Sequence, residues 1–168
     1  MSKRSLHAID PNLDLVLERT VDVPPQLVWR AWTEPALVTQ WFTPAPWTTV
    51  ACEIDLRPGG LFRTVMRSPE GKGHENIGCY LDIVENSRLV WTDMLGAGYR
   101  PRGGGLNEQT GCGFITAFIL LEPAGNGTRY VARVLHGTEA DRKRHEDMGF
   151  HDGWGTALDQ LVAMAKRM

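Results

Sequence analysis

FHDGWGTALDQLVAMA, residues 150–165, is the stretch on which the architecture turns. Phe150, Trp154, Ala157, Leu158, Leu161, Val162 and Ala165 recur at i, i+4, i+7, i+8, i+11, i+12 and i+15, so they share one face of a helix of about four turns. Upstream, Thr138-Glu139-Ala140-Asp141 is a variant capping box in which Asp replaces the usual Glu or Gln, and a long helix is expected to follow it. Gly149, Gly153 and Gly155 each lower helicity by about 1 kcal/mol relative to Ala. They mark either close packing against a sheet or ligand, or a break near Gly149.

Moving back along the chain, the period changes from helical to alternating. Phe114 to Leu121 and Arg129 to Leu135 read as a strand pair joined through Pro123-Ala124-Gly125-Asn126-Gly127. Val50 to Leu56, Leu61 to Met66, Asn76 to Val84 and Arg88 to Leu95 are further strands separated by short turns, which implies antiparallel neighbours. Leu13 to Val23 alternates as well, with Arg19 the only exception on its apolar face. Pro24-Pro25 then opens a short helix through Leu27, Val28, Ala31 and Trp32, and Thr33 is expected to cap a second one carrying Leu37, Val38, Trp41 and Phe42. From Gly96 to Gly113 the chain has seven glycines and no hydrophobic period. Such a loop is either a lid or a hairpin tip. The sum is an α+β chain in which a curved antiparallel sheet of about seven strands wraps a long C-terminal helix, leaving core or cavity between them.

Composition narrows the function. With 168 residues, 42% hydrophobic, and 18 basic against 20 acidic side chains, the chain has the profile of a globular protein. It can bury a sizeable core without a disulfide or metal. A net charge of -2 gives no general attraction to nucleic acid or anionic membrane. Cys52, Cys79 and Cys112 are isolated, which fits a reducing cytoplasm. No secretory signal or apolar membrane span is read, and no motif asks for a cofactor.

Several stretches resemble the START-like (SRPBCC) superfamily, and more narrowly the bacterial family named after the activator of the heat-shock-protein-90 ATPase. They are Glu18 to Pro35 followed by Trp41-Phe42, then Leu56-Arg57-Pro58-Gly59-Gly60, Gly78 to Val84, Arg88-Leu89-Val90-Trp91-Thr92, and Gly153 to Leu161. The resemblance runs from about Leu15 to Ala165 and implies the helix-grip fold, with residues 1–12 a flexible extension and 13–168 a single START-like domain. It also implies a range of roles: carriers of hydrophobic molecules, polyketide cyclases and aromatases, and co-chaperone domains.

The chemistry in the sequence is mainly aromatic. Four of the six tryptophans, Trp29, Trp32, Trp41 and Trp47, fall within nineteen residues. Together with Met66, Tyr80, Trp91, Phe114, Phe150 and Trp154 they either fill the core or line a pocket for a small hydrophobic or aromatic molecule. Asp93 shares strand parity with Leu89 and Trp91, and Arg133 alternates with Val131 and Leu135. These two are expected either to pair internally or to anchor a ligand. His74, Glu75 and His151, with Asp93, are the candidate acid–base groups should the pocket be catalytic. No serine or cysteine sits in a nucleophile motif. Metal binding is not expected, because six residues turn a helix through about 600° and set His145 and His151 about 240° apart. A homodimer is compatible with the exposed sheet edges, though no residue pattern specifies one.

Overall fold

The computed structural model describes residues 6–102, 106–107 and 112–168. In chain order the elements are β1 (Asp14–Val21), α1 (Pro25–Thr33), α2 (Pro35–Trp41), β2 (Thr48–Ile54), β3 (Leu61–Arg67), β4 (Gly73–Val84) and β5 (Arg88–Thr92). There follow β6 (Leu95–Gly96), a 3-10 turn (Ala97–Tyr99), β7 (Arg100–Pro101), β8 (Leu106–Asn107), β9 (Cys112–Gly113), β10 (Ile115–Ala124), β11 (Gly127–His136), α3 (Glu139–Asp147) and α4 (Phe150–Ala165). Seven strands form an open antiparallel sheet in the order β1-β11-β10-β5-β4-β3-β2. This is the helix-grip arrangement: α4 lies across the concave face, with α1 and α2 beside it.

Alternation explains which residues face inward. Leu15, Leu17 and Val21 on β1, Leu89 and Trp91 on β5, and Ala117, Ile119 and Leu121 on β10 are all buried, and they meet Ala157, Leu158 and Leu161 of α4 in one apolar core. Register shifts between Thr49 and Ala51 and between Tyr80 and Asp82 add the irregularities that bend a sheet around a helix. Gln160 fastens α4 to the segment after α2: its amide nitrogen donates to the Trp41 and Thr43 carbonyls at 2.9 Å each, and its oxygen accepts from the Ala45 N–H at 2.9 Å.

Several expectations need correction. The helix foreseen from Thr138 onward is two helices. Thr138 does cap α3, accepting from the Asp141 N–H at 3.1 Å, but the chain turns at Gly149, where φ is +96°. A side chain there would be strained, so Gly149→Ala is expected to cost about 1–3 kcal/mol in urea denaturation; an unchanged midpoint would show that the turn relaxes freely. Gly155 carries the close-packing reading instead, since a Cβ on it would lie 2.5 Å from the Arg19 guanidinium. Thr33 does not cap α2. Glu34 occupies that position, and the Thr33 hydroxyl donates to the Trp29 carbonyl.

β4 begins at Gly73 rather than Asn76, because the ladder with β3 continues to the Arg67–Gly73 pair. His74 and Glu75 therefore sit within the strand and not before it. Much of the glycine-rich stretch is ordered into the short ladders β6–β7 and β8–β9, and Gly98 N–H donates to the Gly59 carbonyl at 2.8 Å. Residues 103–105 and 108–111 lie outside the described residues, so the choice between lid and hairpin tip falls there.

Candidate functional site

Between the sheet and α4 lies a cavity of about 420 Å³. Its position follows from the helix break. Gly149 redirects the chain so that Phe150, Gly153, Trp154 and Ala157 present one face of α4 to the strands, and Gly153 contributes no side chain to fill the gap. Pro44 and Phe42 close one side, held there by the Gln160 clamp. Met148, 59% exposed and also on the wall, marks where the cavity meets solvent.

The walls are aromatic. Trp32 packs edge-on against Trp41 with centroids 4.8 Å apart, and lies 5.1 Å from Trp91. Trp91 on the sheet and Trp154 on the helix face one another with planes 7° apart and centroids 6.5 Å apart. Phe62 completes this wall and is stacked on Tyr80 at 5.3 Å.

The sequence-derived candidates divide cleanly. Trp32, Trp41, Met66, Trp91, Asp93, Phe150 and Trp154 line the cavity. Trp29 and Tyr80 are buried in the core but do not line the cavity, the Tyr80 ring being stacked on Phe62. The Tyr80 hydroxyl has no hydrogen-bond partner among the described residues, and burial raises its pKa. Trp47 packs against His74 with ring centres 5.3 Å apart and planes tilted by 42°, and neither is on the cavity wall. Phe114 lies beneath the Arg102 guanidinium, 5.9 Å from its ring centre.

Arg133 is the clearest departure. Its parity with Val131 and Leu135 puts it on the opposite face of β11 from Tyr130, which is on the cavity wall. There it stacks over Phe118 and donates to the His7 carbonyl at 2.8 Å. No Asp93–Arg133 pair forms, because the two side chains leave opposite faces of the sheet. Arg19 instead meets Asp159 of α4 at 2.6 Å.

Of the acid–base candidates, Asp93 alone is on the wall. Its Oδ1 accepts the Ile115 N–H at 2.7 Å, which ties the end of β5 to β10. Glu75 is exposed and paired with Arg63 at 2.7 Å, and His151 is exposed beside Phe150. The sequence reading missed Thr64, Asn76, Tyr130 and His145, four polar residues of the cavity wall. Thr64 and Asn76 are register partners on β3 and β4, a pairing that strand alternation could have suggested once the hairpin was known. His145 was legible only as a possible metal ligand. Among the described residues no cluster of three metal-ligating side chains occurs.

A model of the family described as "Activator of Hsp90 ATPase homolog 1-like protein" matches residues 22–166. The chain belongs to this family. The crystal structure of protein NE0264 from Nitrosomonas europaea is 47% identical with a TM-score of 0.88, the match covering 95% of this chain and 97% of that one. A Rhodobacter sphaeroides structure, 22% identical over 96% of this chain and 97% of the other, superposes with a TM-score of 0.80 and shows the fold alone. A Chromobacterium violaceum structure, 25% identical over 93% of this chain and 98% of that chain, has a TM-score of 0.67. No curated protein is significantly similar to this chain. Among the described residues no helix is long and apolar enough to cross a membrane.

Proposed function

We propose that the protein binds a small hydrophobic or aromatic molecule in the cavity between its sheet and α4. The observation that supports this is the cavity itself, about 420 Å³ of space walled by Trp32, Trp41, Phe62, Trp91 and Trp154. That volume falls in the range of about 300–1,000 Å³ typical of small-molecule sites, and the mix of apolar walls with a few polar groups is their usual character. The nearly parallel faces of Trp91 and Trp154 favour a flat ligand.

Two measurements test this. Native mass spectrometry of the protein isolated from its own host is expected to show a stoichiometric apolar molecule. The second uses Gly153, where an added Cβ would meet nothing nearer than Pro44 Cγ at 4.0 Å. Gly153→Leu should fill the cavity while keeping the fold, with stability unchanged or raised by up to about 1 kcal/mol because a helical glycine is replaced. Loss of the bound molecule in a folded Gly153→Leu protein supports the reading. Retention of it in that variant would place the ligand elsewhere and overturn it.

A polyketide-cyclase-like reaction is the second reading, and Asp93 is the observation that favours it, as the carboxylate on the cavity wall. It separates from simple binding at Asp93→Asn, which keeps an acceptor for the Ile115 N–H. A carrier then retains its ligand with modest loss, whereas a catalyst loses about 10²-fold or more in turnover while still binding. A co-chaperone role rests on the description of the family alone.

A further inference from the structure

His136, on β11, and His145, on α3, carry a hydrogen-bond order that reaches the cavity. His136 Nδ1 lies 2.8 Å from the Leu13 carbonyl oxygen. A carbonyl only accepts, so this nitrogen bears the proton and donates. In a neutral imidazole the other nitrogen is then an acceptor. His145 Nδ1 sits 2.9 Å from that His136 Nε2, and must donate to it. His145 is left with its proton on Nδ1 and a bare lone pair on Nε2. Burial supports the neutral state of both rings, holding His136 below its ordinary value and His145 down at about 4, the neighbouring His136 adding to the second effect.

The orientation of His145 is equally constrained. Its ring meets His136 and Phe150 edge-to-face, both at 5.2 Å between centres, and the residue is part of the cavity wall. Because the Nδ1 side is turned to the sheet, the side left for the cavity is the one that bears Nε2. A tautomer held by two successive hydrogen bonds is a preorganised acceptor, and against an aromatic wall it discriminates by hydrogen-bond polarity rather than by shape.

We propose that His145 Nε2 is the acceptor through which the cavity selects ligands that carry a hydroxyl or N–H donor on an aromatic frame, with His136 as the positioning residue that fixes the His145 tautomer. This rests on the cavity being a ligand site, and adds to it the polar signature of the ligand. A ligand offering only acceptors leaves this lone pair facing another, and is disfavoured.

The test compares 2-naphthol with 2-methoxynaphthalene, which share a frame and differ in the donor, by calorimetric titration at neutral pH. Wild-type protein is expected to bind the naphthol about three- to tenfold more tightly, the range of one net hydrogen bond. In His145→Phe, which keeps an aromatic ring of similar size, the ratio should fall to about one. Equal affinities in the wild type, or a preference that survives in His145→Phe, would overturn the selection while leaving a cavity that binds. Binding of neither compound would remove the cavity reading and this proposal with it. Nitrogen-15 NMR of the imidazoles supplies a readout independent of ligand: Nε2 of both histidines should be of the unprotonated type and both Nδ1 protonated. His136→Phe should release His145 into a mixture of tautomers. A protonated Nε2 on His145 in the wild type would overturn the proposal directly.

Discussion

Trp32→Ala is expected to destabilise the protein by about 3–5 kcal/mol, the range for removing a buried large aromatic side chain. Trp32 is 2% exposed and joins three elements, since its ring touches Trp41 and Phe42 around α2 as well as Trp91 on β5. Truncating it opens a void that runs into the existing cavity, so neighbouring side chains have little support from which to collapse into the space. For a domain of this size the loss corresponds to a fall of roughly 10 °C in Tm. Trp32→Phe should cost far less. The Trp32 indole N–H lies near the Tyr130 phenol but has no hydrogen-bond partner among the described residues, so phenylalanine removes a buried unpaired donor while keeping most of the apolar volume. Thermal and urea denaturation of both variants checks this. A loss below about 1 kcal/mol for Trp32→Ala would mean that the aromatic cluster is loosely packed.

Acid should weaken the fold through the histidine pair. In the unfolded chain both imidazoles titrate near about 6.5. Above that pH neither state binds the proton and the pair contributes no pH dependence. As pH falls below it, the unfolded chain takes up protons that the folded chain refuses, so stability declines until the folded value is reached, about 4 for His145. Burial dominates for both rings. Around His136 the Leu13 carbonyl, Asp14 and Asp141 oppose the shift while Arg142 assists it. Allowing for the partial exposure of His145, the loss attributable to it is on the order of 2 kcal/mol across that window. Urea denaturation from about pH 8 to about pH 4 in the wild type and in His145→Phe measures it, the difference between the two slopes isolating the histidine from the carboxylates that also titrate. Identical slopes would show that His145 is solvated and takes up its proton in the folded state as readily as in the unfolded one.

The two experiments bear on function from opposite sides. Trp32 tests whether the aromatic wall is a rigid scaffold, and preorganised walls are what allow a pocket to bind without ordering itself first. His145 tests whether the polar group on that wall is held neutral, which its role as an acceptor requires.

Much of the fold was legible because the signals that specify it are local. Alternation in Leu15, Leu17 and Val21 and the helical stripe from Phe150 to Ala165 are properties of consecutive residues, and burial of one face follows from them. The family resemblance then placed those elements in the helix-grip arrangement. Local signals also had a limit at Gly149. Composition left a kink and a close contact equally open there, and only the backbone turn at φ +96° decided between them.

The cavity was legible in its chemistry and not in its membership. An aromatic-rich wall could be foreseen from Trp32, Trp41, Trp91 and Trp154. Yet Trp29 and Tyr80 are equally aromatic and buried without lining the cavity, Tyr80 leaving the same sheet face as its register partner Trp91 but packing on Phe62, because which side chain fronts a space depends on how its neighbours pack. Arg133 shows the same limit within a strand. Its period was read correctly, but a period does not say which of two faces is concave, and the side chain is on the convex one. His136 and His145 belong to different elements, and no sequence pattern relates a strand end to the last turn of a helix nine residues on. The sequence by itself determined most of the sheet strands, the antiparallel pairing of those joined by short turns, and the amphipathic stripe of the last helix. Tertiary structure alone decided which atoms reach that space, since contact between distant residues is set by how layers pack and not by the period of any one of them.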